Sequence, residues 1–168
     1  MRQHVIALVD CDCFFVSCER KDNPDLQGKP VCVMTGANSK GIIVSRSKEA
    51  KALGIKMGQP YFQVKPNFPT AICIPARHHH YTEISKQVMD TIKTFSPDVE
   101  VTSVDEAFID LTSLNKVYQC TYTDIIKNIR QTVWDKVGIA APHTKNRQEG
   151  PVKFSAGDEY VVSKVFSF

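Results

Sequence analysis

The first apolar run of the chain, Val5-Ile6-Ala7-Leu8-Val9, has the length and β-branched content of a buried strand and ends abruptly in Asp10-Cys11-Asp12. Cys13 to about Lys21 suits a short helix, stopped by Asn23-Pro24. Gly28-Lys29-Pro30 turns the chain into a second strand, Val31 to Met34, and Gly36-Ala37-Asn38-Ser39 turns it again into a strand from Gly41 to Ser45. A helix follows from about Ser47 to Leu53, with Gly54 as its C-cap, and Thr70 to Pro75 reads as a short strand. The plainest helical periodicity lies between about Tyr81 and Phe95, where Tyr81, Ile84, Val88, Ile92 and Phe95 recur at steps of three and four before Ser96-Pro97. Val99–Val104 and Ala107–Leu111 form a β pair, and a second amphipathic helix from about Thr123 to Val137 turns Ile125, Ile126, Ile129 and Val133 inward. The internal run His78-His79-His80 reads as a polar loop opening the long helix in preference to a metal site.

The order is strand, small α/β insert, helix, two strands, helix. That makes an α/β (α+β) chain of ferredoxin-like type, in which a βαββαβ sheet needs one more strand after Val137. A length of 168 residues fits one domain, with room for a small subdomain. The formal net charge of +3 permits a nucleic-acid partner without requiring one. No apolar run approaches the ~18 residues that would span a bilayer, and Met1-Arg2-Gln3-His4 opens nothing like a secretory signal. Cys11, Cys13, Cys18, Cys32 and Cys73 sit within or beside apolar patterns and read as small buried hydrophobes of a reducing compartment. The Cys11, Cys13, Cys18 spacing is not C-x-x-C and has no second half, which argues against zinc.

Candidate chemistry lies in the acids. Asp10 and Asp12 end the first strand, and Asp105 and Glu106 interrupt the later β pair, where two acids serve no packing purpose. Two acid clusters borne on strands suggest a cation site assembled across a sheet, with the hard oxygen donors that Mg²⁺ prefers. Asp12 suits a helix N-cap at least as well as a metal.

Four segments, V-D-C-D-C-F-F-V-S-C-E, N-P-D-L-Q-G-K-P-V-C-V, E-A-K-A-L-G-I-K-M-G-Q-P and S-V-D-E-A-F-I-D, occur in an order and spacing that resemble the Y-family translesion DNA polymerases, most closely the bacterial UmuC-type branch, over about Val5 to Val137. The resemblance implies a polymerase palm from 1–10 and 77–138, with a fingers subdomain at 11–76. It implies a two-metal nucleotidyl transfer with Mg²⁺, for which Mn²⁺ can substitute. Asp10 and Asp105 would bridge both ions, Glu106 would sit on the primer-side ion, and Cys11 would offer its backbone carbonyl. Phe15 occupies the steric-gate position that excludes a 2′-hydroxyl, while Phe14 belongs either beside the nucleotide or, preferably, in the core. Ser45 and Lys51, with Arg46 nearby, match positions on the triphosphate; Lys48 is divided between a phosphate ligand and a solvated helix face. Implied partners are a deoxynucleoside triphosphate and primer–template DNA, in DNA repair and the SOS response of a bacterial cytoplasm.

The resemblance stops after Val137. Lys145 is out of register with the family's palm lysine, and 139–168 match nothing in the family, so a truncated chain without thumb and little finger is expected. Two functions follow: a catalytic fragment with little or no activity alone, or a non-catalytic remnant that binds nucleotide or a partner. A nucleotidyl cyclase palm is a third reading, opposed by Phe15 and N-P-D-L-Q-G-K-P. Glu159 to Phe168 has strand-like alternation. It is expected to add to the open palm edge, in this chain or across a dimer, with Gly150-Pro151 as linker.

Overall fold

The computed structural model describes residues 4–36, 40–139 and 160–167, the last stretch as backbone. The expectations for Lys145, for the Gly150-Pro151 linker and for the turn residues 37–39 lie outside the described residues. In order the elements are β1 (His4–Asp10), α1 (Phe14–Asp22), β2 (Val31–Met34), β3 (Ile43–Arg46), α2 (Lys48–Ala52), α3 (Tyr61–Asn67), β4 (Ile72–Pro75), α4 (His78–Lys93), β5 (Val99–Val101), β6 (Glu106–Asp110), α5 (Leu114–Val117), α6 (Tyr122–Val137) and β7 (Tyr160–Ser167). They form two compact units, Met1–Asp12 with Thr82–Phe168, and Cys13–Tyr81. None of the described helices is long and apolar enough to cross a membrane.

The first unit is built on a sheet of order β5-β6-β1-β7. β1 and β6 are antiparallel, with Ala7 opposite Ile109 and Val9 opposite Ala107. These four side chains are exposed by no more than 1%, because alternate residues of a strand share one face and this face is the core. The apolar stripes of α4 (Ile84, Val88, Met89, Ile92) and α6 (Ile125, Ile126, Ile129, Val133) are buried in the same unit. α6 begins in a capping box between Thr121 and Asp124 and ends at Gly138, whose φ of 71° is the left-handed C-cap that glycine tolerates best. The even-numbered residues of β1 and β6 point the other way: Ile6 opposite Asp110, Leu8 opposite Phe108, Asp10 opposite Glu106.

β7 lies beside β1 and runs parallel to it, from His4 opposite Tyr160 to Asp10 opposite Ser167, with a register shift between Leu8 and Val9. In a regular βαββαβ sheet the last strand runs parallel to the third and therefore antiparallel to the first. Here its direction is reversed. α6 ends at Val137 and β7 begins at Tyr160.

The second unit carries a sheet of order β3-β2-β4, with β2 antiparallel to β3 and parallel to β4. β2 is buried along its whole length, as a strand covered on both faces must be. Cys32 and Met34 enter a cluster with Ile43, Ala50, Ile55 and Val64, and α1 contributes buried Phe14, Val16 and Cys18 to the unit. Two adjacent charged residues of α1 hold the rest. Arg20, 9% exposed, donates to the carbonyls of Leu26 (3.1 Å) and Lys29 (2.9 Å) and to Glu49 Oε2 (2.8 Å). Glu19, 6% exposed, receives Arg77 and Tyr81.

Several expectations are corrected. His78-His79-His80 is the first turn of α4 and not a loop, since the Tyr81 amide already bonds the Arg77 carbonyl. The N-cap of α1 is Cys13, in a left-handed conformation without a side-chain cap bond, so Asp12 is not the cap. α3 and α5 were not expected: α3 contains Pro66 and lacks an apolar stripe, and α5 is a single turn.

Removing 160–168 would leave β1 as an open edge. The truncated chain is expected to lose at least about 1 kcal/mol, a few degrees in Tm, and to self-associate, as read by thermal unfolding and light scattering; an unchanged Tm would show that β7 adds nothing.

Candidate functional site

The antiparallel register of β1 and β6 decides where the acids stand. Asp10 and Glu106 are directly opposite on neighbouring strands, so their side chains share one face of the sheet, opposite to that of Ala7, Val9, Ala107 and Ile109. Both are half-buried. Beyond the last strand pair, the Cys11 amide donates to the Asp105 carbonyl at 2.9 Å, which carries the ladder one residue further and ties the two acid segments together. Asp105 stands in the bend before β6, where Ser103 Oγ donates to its Oδ1 at 2.7 Å. Asp10, Asp105 and Glu106 thus come from two adjacent strand ends in one unit. Cys11 is buried at 2% exposure, so its thiol is not an exposed ligand.

Like charges directly opposite one another on a sheet are destabilising by about 0.2–1 kcal/mol. The donors are hard carboxylate oxygens, the chemistry Mg²⁺ takes. Among the described residues no three His, Cys, Asp or Glu side chains converge into a ready-made metal cluster. The donor types fit the ion. The six cysteines are free thiols, and burial pushes Cys18 up to about 12, as suits an inert core thiol.

The remaining predicted residues belong to the second unit. Phe14 is buried at 3% exposure. Phe15 is half-exposed, with its ring stacked on Tyr81 at a centroid distance of 4.5 Å and 15° between planes, and edge-on to His78 at 6.0 Å and 89°. Ser45 is buried on β3 opposite Val33. Arg46, next to it, donates to the Ile55 carbonyl. Ser47 caps α2 by accepting from the Ala50 amide at 3.1 Å, which fixes the helix carrying Lys48 and Lys51; both lysines are exposed.

Missed from sequence is the support behind Phe15. Glu19 accepts from Arg77 Nε at 2.9 Å and Nη2 at 2.8 Å, and from the Tyr81 hydroxyl at 2.6 Å. Arg77 also reaches Asp22 at 2.6 Å. A signal was present: Glu19 lies one helical turn after Phe15, so the two share a helix face.

Solved Y-family DNA polymerases share this fold. The Y-family DNA polymerase chimera Dbh-Dpo4(243-245)-Dbh superposes with a TM-score of 0.71 at 28% identity, covering 80% of this chain and 40% of that one. The post-insertion binary complex of Dbh DNA polymerase gives 0.69 at 29%, covering 80% and 39%. The model of the impB/mucB/samB family matches residues 9–142, and the chain belongs to that family. Protein UmuC of Salmonella typhimurium is 38% identical over 147 residues, covering 84% of this chain and 34% of the relative. DNA polymerase IV of Desulfatibacillum aliphaticivorans is 36% identical over 141 residues, covering 84% and 35%. The chain spans about a third of the length of these curated relatives.

Burial, then the hydrogen bond to Glu19, pushes the Tyr81 phenol above its ordinary value of 10.0. A folded-state value above the unfolded one adds stability that is present below about pH 10 and lost as pH rises through the folded value. Chemical denaturation between about pH 8 and 11 should show a steeper alkaline fall for the wild type than for Tyr81→Phe; parallel curves would dissociate Tyr81 from the alkaline limb.

Proposed function

We propose that this chain is the metal- and nucleotide-binding portion of a UmuC-type DNA polymerase acting in translesion synthesis, with its first unit as palm and its second as fingers. The observation that carries the reading is the placing of Asp10 opposite Glu106, with Asp105 tied to Cys11, at two adjacent strand ends. Asp10, Asp105 and Glu106, with the Cys11 carbonyl, would hold two Mg²⁺ ions. When bound, these ions supply positive charge for the triphosphate and the leaving pyrophosphate and acidify the primer 3′-hydroxyl.

The protein's own part is positioning. Asp10 and Glu106 are held by the β1–β6 ladder, so their backbone is fixed before any ligand arrives. Phe15 offers a flat ring under the sugar of the incoming deoxynucleotide, leaving no room for a 2′-hydroxyl. Ser45, Lys51 and a free edge of the Arg46 guanidinium, which keeps donors beyond its bond to Ile55, serve the triphosphate. Phe14 serves the core that backs Phe15. Primer–template DNA is the second substrate, held weakly by this length of chain, and extension by the chain alone is slow. A bacterial cytoplasm is the fitting compartment.

Single-nucleotide incorporation on a gapped duplex, with the full chain in excess and Mg²⁺ or Mn²⁺ present, tests the reading. Slow template-matched incorporation is expected, falling by at least about a hundredfold in Asp105→Ala. Incorporation that Asp105→Ala does not change would contradict it.

A further inference from the structure

We propose that Glu19 is a positioning residue for sugar selection: through the hydroxyl of Tyr81 it locks the ring on which Phe15 lies. The inference rests on the reading of Phe15 as the surface beneath the sugar.

All four groups belong to the unit Cys13–Tyr81. Phe15 and Glu19 stand one turn apart on α1, so they share a face of that helix. Tyr81, 1% exposed, covers both: its ring lies on Phe15 at 4.5 Å and 15°, and its hydroxyl donates to Glu19 Oε1 at 2.6 Å. Arg77 closes the other side of the carboxylate with two bonds, at 2.9 and 2.8 Å, a fork that fixes the plane of Glu19. The geometry is therefore a series: Arg77 orients Glu19, Glu19 orients Tyr81, and Tyr81 backs Phe15.

A buried carboxylate is a poor choice for packing alone, because an apolar residue of the same volume would serve a core equally well. What the carboxylate adds is direction. Stacked rings slide over one another at little cost, whereas a short charge-assisted hydrogen bond fixes the far end of the Tyr81 ring. Excluding one hydroxyl oxygen is a steric task, and a surface free to retreat by about 1 Å would admit it. Stiffness behind Phe15 is thus part of the selection.

Two variants separate this role from bulk packing. Tyr81→Phe removes only the hydroxyl and keeps the ring. Glu19→Gln keeps the shape but turns an N–H₂ group toward a donor of Arg77, which breaks the fork. Dissociation constants of the full chain for dATP and ATP, each with Mg²⁺, give the readout as their ratio. A loss of general integrity weakens both nucleotides together and leaves the ratio unchanged.

The expected result is that the wild type prefers dATP and that Phe15→Ala abolishes the preference. Tyr81→Phe and Glu19→Gln should each lower the ratio by about two- to tenfold, the worth of one hydrogen bond. Adding Tyr81→Phe to Phe15→Ala should then change the ratio no further, since the two act through one ring. A full wild-type ratio in Tyr81→Phe, with Phe15→Ala still abolishing it, overturns the role of Glu19 and leaves Phe15 standing. A wild type that binds the two nucleotides equally, or neither, overturns the reading of Phe15 and this inference with it. Should Glu19→Gln fail to fold, Tyr81→Phe alone decides.

Discussion

The antiparallel pairing of β1 with β6 is the constraint on which the candidate site depends. Ala7, Val9, Ala107 and Ile109 can be buried together in only one register, because a slip of one residue would turn every side chain to the opposite face. Once those four are inside, Asp10 and Glu106 are forced onto the other face and directly across from one another. Hydrophobic burial of about 1.5–3 kcal/mol per large side chain far exceeds the ~0.2–1 kcal/mol of like-charge repulsion. The core therefore keeps the two acids facing one another, the feature that the proposed cation site uses.

The second unit depends on a different kind of restraint. Neighbouring Glu19 and Arg20 on α1 reach in different directions, one to Arg77 and Tyr81, the other to the Leu26–Lys29 turn and Glu49. Short elements such as α2, of five residues, cannot hold themselves in place by helix propensity. Buried, fully bonded ions give these pieces fixed anchors, and the removal of any one partner would strand a charge in the interior. Phe15 gains from this, since its ring lies on a tyrosine held by that network.

Much of this was legible along the chain because it is periodic or punctuated. β2 is a short apolar run between turns, and α4 and α6 repeat their apolar residues at helical steps, so all three were readable. The acids stood out because they break apolar strands. Interactions between residues far apart carried no such pattern: Glu19 and Arg77 are separated by 58 positions, and neither position alone announces the other. Strand direction was equally hidden, since alternation is the same read either way, and β7 lies parallel to β1 where a regular sheet of this type would have it antiparallel. The histidine run was misread for a local reason. Its residues are indifferent helix formers, and what recruits them into α4 is the Arg77–Tyr81 turn, anchored from α1 by Glu19.

The central proposal is that Asp10 and Glu106 serve a divalent cation, and thermal unfolding of the wild type and Glu106→Gln, with Mn²⁺ and with a chelator, tests it most directly. In chelator the variant should equal or exceed the wild type by about 0.2–1 kcal/mol, because the repulsion is gone. With Mn²⁺ at about a hundred times its Kd the wild type should gain about 2.7 kcal/mol and the variant distinctly less, so that their order reverses. A variant that is the less stable of the two in chelator, or one that gains as much from Mn²⁺ as the wild type, would contradict the account.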